Sequence, residues 1–493
     1  MRSYRRWIVA LLGAGLIVHG TVLFAAYWKT GTIDGYALRS LDCGEYHTIA
    51  RNLVEHGVFS QSETPPFVPD TWRTPGYPLF LAAIMLIVGK SSVTLVLVQQ
   101  VLAVVNVLLV FHVARGKMSD SRAAFAAILF LVEPYHLFYS LWLMSTTWLV
   151  TLILLTWITW SKAVGSGEPW RFALLGGLCG FLVLIWPGAI LVPVATATGL
   201  LISRFLRRPR HKPMACAAGI VIFLAVCFAI VGSWMVRNQR AAGKPALSHQ
   251  SGIVLAYFKA TEVVLWRQGR TEDRYLETSL SPDRRDQPHP VWEMIDKALR
   301  LHFYNLPIEQ QKQLTWPNLA QGNKTSVDSF RISAELESIA QGYLLESPRS
   351  TLAVCLARCA SILTFPADLA LWPPKGVEVN RLRSAALGVV YFLLALGVVV
   401  RLVRRRLGFQ ALYFPLACTL ALLLATTPQT DPRFRVPLIA LLIFVALLPV
   451  VSPNPPSADE RWCEQFVRAT REDRAPDRPA STTGETDRKK GPC

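Results

Sequence analysis

Apolar stretches of about 20 residues recur along this chain, and that length matches the hydrocarbon thickness of a bilayer. They fall at 7–27, 92–114, 123–141, 146–161, 171–186, 188–205, 215–235, 384–400, 409–426 and 436–451. Hydrophobic residues make up 52% of the 493 and charged residues 17%, with a mean hydropathy of +0.34. A soluble domain is about one-quarter charged, so too few solvent-facing residues remain here for a soluble fold. Disorder is excluded over the same stretches because it needs low hydrophobicity. The chain therefore reads as an all-α polytopic membrane protein with about ten spans.

Lys and Arg outnumber Asp and Glu 51 to 33, a formal excess of +18. In a soluble protein this would suggest nucleic acid. In a polytopic one it reports orientation, so no nucleic-acid partner is expected. Arg2, Arg5 and Arg6 place the N-terminus in the cytosol, and the basic loops at 204–212 and 401–406 fall on the same side. The first apolar run has no small-residue cleavage site after it and reads as an uncleaved span. Both termini are then cytosolic. Residues 28–91 form a first outer loop, whose short apolar piece 77–89 is expected to lie as an interfacial helix. Residues 236–382 form a long outer segment with helices near 292–303 and 328–346 and an amphipathic piece at 349–365. Residues 1–451 thus make one membrane domain, and the polar tail 452–493 is expected to be a disordered cytosolic extension. The nine cysteines show no metal-ligand spacing, so no zinc site, other metal site or disulfide framework is expected.

Three outer segments hold polar residues against the membrane. In the first, Tyr46, Ala50, Leu53 and Gly57 recur at helical spacing, with Asp42 at the start of the helix, where a carboxylate is stabilised. Asp42 fits an N-cap and equally a general base facing a membrane cavity. Glu45 and His47 fit exposed helix-surface positions or support for Asp42. In the second, Pro75, Gly76 and Pro78 impose an irregular entry into 77–89 and aim Arg73 at headgroup level. Arg73 fits an interfacial anchor or a phosphate clamp. The third pairs Arg237 and Asn238, after the seventh span, with Asp431, Arg433 and Arg435, before the tenth. Arginines on the outer side are not explained by orientation. They fit snorkelling or the neutralising of an anionic lipid-linked substrate.

These residues resemble a family. The pattern of Asp42, Tyr46, Ala50, Leu53 and Gly57, then Arg73-x-Pro75-Gly76-Tyr77-Pro78, Trp234-x-Val236-Arg237-Asn238 and Arg433-x-Arg435-x-Pro437, is similar to the GT-C superfamily of integral-membrane glycosyltransferases. The nearest branch resembles glycosyltransferase family 39, with the protein O-mannosyltransferases and the lipid A aminoarabinose transferase. The resemblance spans roughly 7–450. It implies transfer of a sugar from a polyprenyl-phosphate carrier to a glycan, lipid or protein acceptor on the extracytoplasmic face, in a bacterial inner membrane. No cofactor is implied, since the lipid-linked sugar is itself the donor substrate. Asp42 would be the base of an inverting displacement, and Arg73, Arg237, Arg433 and Arg435 would bind the donor phosphate. Glu45, Tyr46 and Tyr77 would support them. Many relatives carry an acid where this chain has Thr146, and Glu133, before Pro134, is an intramembrane acid with either a functional or a hydrogen-bonding role.

The competing class is a transporter or flippase of lipid-linked glycans, which should carry polar residues at mid-membrane along broken helices. The second, fourth, sixth and eighth spans read as nearly free of them. A scaffold that binds a partner through 236–382 would leave Asp42 and Arg73 without a common purpose.

Overall fold

The computed structural model describes residues 2–38, 40–206, 213–269, 290–319, 328–364, 409–426 and 435–448, with isolated positions between 389 and 398. Along the chain these form α1 (Arg2–Thr30), α2 (Asp34–Ala37), α3 (Leu41–His56), α4 (Gly76–Val88), α5 (Ser92–Arg115), α6 (Asp120–Leu131), α7 (Pro134–Tyr139), α8 (Thr146–Ser166) and α9 (Pro169–Ile185). A 3₁₀ turn (Pro187–Ile190) leads to α10 (Leu191–Leu206) and α11 (Pro213–Ala242). The segment expected on the outer side holds α12 (Gln250–Ile253), a π-helix (Val254–Ala260), α13 (Thr261–Arg267), α14 (Pro290–His302), α15 (Ile308–Lys312), α16 (Trp316–Leu319), α17 (Ser329–Glu346) and α18 (Pro348–Thr364). Finally come α19 (Phe409–Thr426) and α20 (Arg435–Leu447). Among the described residues no strand occurs, and the protein is an all-α polytopic membrane protein.

The expected spans that fall within the described residues return as helices, with one correction. α1, α5, α8 and α11 are long and apolar enough to cross a membrane, and 76–88, 169–185, 187–203, 413–426 and 436–447 form shorter apolar helices. The expected span 123–141 is instead broken at Val132–Glu133 into α6 and α7. Pro134 opens α7 at a position where its missing N–H costs nothing, and Glu133 caps it by accepting from the His136 N–H at 2.5 Å. Glu133 thus has the hydrogen-bonding role. The eighth span and the 452–493 tail lie largely outside the described residues.

Lipid provides no hydrophobic drive between helices, so close packing must supply it. α9 and α11 meet through Gly176 and Gly180, one turn apart, where an added Cβ would come 2.4 Å from the Phe223 carbonyl oxygen and 3.0 Å from Ile230. α1 touches the bundle on one stripe only: Leu11, His19 and Ala26 are buried, while Val9, Ile17 and Phe24 are exposed. α5 carries more polar groups than its hydropathy suggested. Gln99, Gln100 and Asn106 are all buried. Gln99 donates to the Ser140 carbonyl at 3.0 Å, and Asn106 donates to the Thr147 carbonyl at 2.9 Å. They satisfy backbone carbonyls at the end of α7 and in the first turn of α8.

The outer segment has a core of its own, built from Ile253, Tyr257, Trp292, Leu299 and Leu336 among others. Trp72, from the first outer loop, is buried in that core. Two ties fasten the segment to the bundle and to itself. Lys259 donates to the Ala425 carbonyl in the last turn of α19 at 2.8 Å, and Arg358 of α18 grips the buried Glu262 of α13.

Candidate active site

α3 presents Asp42 and Glu45, three residues apart and therefore on one face. The helix starts at Ser40, whose hydroxyl accepts from the Cys43 N–H at 3.3 Å. Ser40 is thus the N-cap, and the capping reading of Asp42 is set aside. Asp42 sits in the first turn, in the favourable field of the helix N-terminus. Gly57 ends the helix at φ +67, a left-handed conformation in which it serves as the C-cap.

Arg73 faces this pair from the loop before α4. Its Nε donates to Glu45 Oε2 at 2.5 Å and its terminal nitrogen donates to Asp42 Oδ1. The guanidinium is 6% exposed, Glu45 13% and Asp42 25%. Asp42 is therefore the most accessible member of the triad. The expectation that Glu45 lies on an exposed helix surface is corrected: it is a partner of Arg73. Burial, reinforced by the nearby Asp42 and Asp70, pushes the Glu45 carboxyl up, against the pull of Arg73. His47 does behave as a peripheral residue, its ring meeting the Lys90 carbonyl at 3.4 Å.

Two aromatic residues complete the setting. The Arg73 guanidinium carbon lies 5.0 Å from the Tyr46 ring centre, a cation–π distance. Tyr46 and Tyr77 meet edge to face at 5.0 Å, and the Tyr77 hydroxyl donates to Gln99 at 2.8 Å. Through Gln99 the site is braced on α5 and on the turn after α7. α4 reaches this position because Gly76 abuts the end of α9; a Cβ there would lie 2.7 Å from the Ile185 nitrogen.

Asp70 holds the loop in shape and gave no signal in the sequence beyond a polar residue near Arg73. It is fully buried. Its carboxylate accepts from the Arg73 N–H at 2.9 Å, the Trp72 N–H at 3.3 Å and Gln61 at 2.9 Å. Burial drives its carboxyl up to about 6 despite these donors and the cations Arg73 and Arg237. The neighbouring residues each find a different partner. Thr71 bonds His249 at 2.8 Å, and the Trp72 carbonyl accepts from Ser248 at 2.5 Å. Residues 70–73 thus join the first outer loop to the outer segment.

Of the two arginines whose side chains are described, the structure brings Arg73 onto Asp42 and not Arg237. Arg237 turns instead to backbone, donating to the carbonyls of Asp70 and Phe59 and to the side chain of Asn238, with its guanidinium over Phe59 and Trp234. It also lines an open pocket of about 360 Å³ with Pro69, Ser233, Val236 and Arg240; Asp42 is not among the lining residues. Arg433 lies outside the described residues. Arg435 begins α20, but its side chain is likewise outside them. Thr146 is buried at the start of α8.

A helical membrane bundle with a charged triad on its loop side can be compared with known proteins. Residues 72–234 match the family model described as dolichyl-phosphate-mannose-protein mannosyltransferase, about a third of the chain. No curated protein sequence matches the chain significantly. Among solved structures it is similar to the apo oligosaccharyltransferase of Archaeoglobus fulgidus, at 15% identity and a TM-score of 0.47 over 95% of this chain and 52% of that one. It is also similar to ArnT of Cupriavidus metallidurans bound to undecaprenyl phosphate, at 15% identity and a TM-score of 0.38 over 90% and 78%. Arabinosyltransferase EmbB of Mycobacterium smegmatis is similar at 16% identity and 0.33, over 88% and 40%. The chain spans about half the length of the archaeal enzyme.

Proposed function

We propose that the protein is a glycosyltransferase that moves a sugar from a polyprenyl-phosphate carrier to an acceptor hydroxyl on the extracytoplasmic face of a bacterial inner membrane. The observation that carries this reading is the Asp42–Arg73–Glu45 triad, which joins a partly accessible carboxylate to a buried cation. Asp42 removes the proton of the acceptor hydroxyl. The oxygen attacks the anomeric carbon, and the bond from that carbon to the phosphate oxygen breaks with its electrons leaving on the phosphate. The configuration inverts. Arg73 exchanges its carboxylate contacts for the phosphate and stabilises the charge that develops there. A pre-placed cation in a poorly solvated site does this well. The match of residues 72–234 to a mannosyltransferase family supports the same reaction class.

Asp42→Asn tests the assignment. Transfer of radiolabelled sugar from a polyprenyl-phosphate donor pool should fall about 10²–10⁴-fold, the contribution of a general base, with the protein still expressed and folded. A variant that transfers at the wild-type rate removes Asp42 from the mechanism.

The transporter reading draws on one observation. His19 of α1, Gln100 of α5 and His136 of α7 form a buried polar cluster beside the broken third span, with His19 2.5 Å from Gln100. Sealed vesicles carrying a fluorescent lipid-linked sugar separate the two. Movement across the bilayer without transfer would favour transport.

A further inference from the structure

We propose that Glu45 takes up a proton when an anionic phosphodiester binds beside Arg73, so that the site recognises its substrate's charge by titrating with it. This rests on the donor class proposed above.

The argument begins with charge. Arg73 serves two carboxylates at once, Asp42 and Glu45. The adjoining groups, Asp70 of the loop and Arg237 of α11, balance one another. Among the described residues the site, Glu45 included, therefore carries one negative charge in excess. The positive end of α3 offsets about half a charge. A phosphodiester adds another negative charge to a site where the guanidinium is 6% exposed and solvent screens little. Arg73 cannot serve three anions equally, so one acid must give way.

Geometry selects Glu45. The Asp70 carboxylate receives two backbone N–H groups and Gln61, contacts that need its lone pairs and that shape the loop. Asp42 is a quarter exposed and keeps water as an alternative partner. Glu45 is less exposed, and Arg73 is its hydrogen-bond partner. Burial and its acidic neighbours already push its carboxyl up, and the Arg73 cation opposes them. When the phosphate draws Arg73 away, that opposition weakens. The carboxyl then takes a proton from solvent, and its new O–H becomes a donor to the phosphate oxygens. A neutral site then receives the anion.

The test is calorimetric binding of a short-chain polyprenyl phosphate methyl ester to the full chain in nanodiscs. This diester keeps a single negative charge from pH 5.5 to 8, so its own titration does not contribute. Two buffers of different ionisation enthalpy report proton exchange. The expected result is uptake of about one proton, with affinity falling about tenfold per pH unit as pH rises above the free Glu45 carboxyl's range. Glu45→Gln should bind more tightly than the wild type at pH 8, with no uptake and a flat pH profile. The wild-type measurement stands without any variant. Binding without proton uptake overturns the inference alone, and would mean that another cation, such as Arg433 or Arg435, balances the anion. Uptake that persists in Glu45→Gln overturns it too, by assigning the proton to Asp42 or Asp70. Failure to bind at any pH removes the donor reading itself, and this inference with it.

Discussion

Replacing Arg73 by Met keeps much of its volume and removes its charge, which isolates what the cation does in the resting protein. Glu45 and Asp42 lose their shared donor, and Glu45 stays largely enclosed. Breaking a buried ion pair by removing one partner costs about 3–5 kcal/mol. The lower end applies here, about 3 kcal/mol, because Asp42 is a quarter exposed and can turn to water. The loss should shrink at acid pH. Glu45's carboxyl is raised by burial, so it becomes neutral as pH falls and then needs no cation. Thermal unfolding in nanodiscs, followed by tryptophan fluorescence at pH 7.5 and 5, reads both effects. Arg73→Met should unfold several degrees lower at pH 7.5 and closer to the wild type at pH 5. The double variant Arg73→Met/Glu45→Gln should recover most of the deficit, since Glu45 is then no longer a charge left without its partner. Neither should transfer sugar. A single variant as stable as the wild type, or a double variant no better than the single, would refute the claim that Arg73 neutralises Glu45 in the folded state.

Two other substitutions follow from the packing of the same loop. The Asp70 carboxyl is raised to about 6 from an ordinary 3.8. The folded state therefore holds this proton more tightly than the unfolded chain, and the stability it confers is present below the ordinary value and lost as pH rises through 6. The difference amounts to about 3 kcal/mol. Asp70→Asn should accordingly flatten the dependence of unfolding temperature on pH between about 4 and 6; an unchanged slope would assign that dependence to other groups. Gly76→Ala places a methyl group 2.7 Å from the Ile185 nitrogen. It should push α4 off α9, lowering the unfolding temperature and reducing transfer together, and a wild-type profile would show that the contact yields easily.

Much of the architecture follows from local pattern. Continuous apolar runs must become helices in lipid, because no water is present to satisfy an open backbone. That constraint acts residue by residue, so α1, α5, α8 and α11 were legible at nearly their observed bounds. The same holds for α3, whose apolar spacing shows its face, and for α17 and α18 in the outer segment. Asp42 and Arg73 stood out because charge beside a membrane is costly and needs a reason. The break at Val132–Glu133 lay in plain view beside Pro134, yet a proline can kink a helix or begin one, and neighbours make the choice.

The pairings across the loop could not be read in this way. Glu45 and Asp42 meet Arg73 across intervals of 28 and 31 residues, through an irregular loop with no periodic signal. Asp70 looks like any polar loop residue until folding buries it against backbone N–H groups. Arg237 has the composition of a phosphate ligand, but two carbonyls lie within its reach and hold it. Trp72 joins a core whose other members begin some 180 residues later. Chain periodicity reports which face of an element is apolar. Which charges share a site depends on how far apart the folded backbone leaves them, and that distance is set by every packed contact between the elements that carry them.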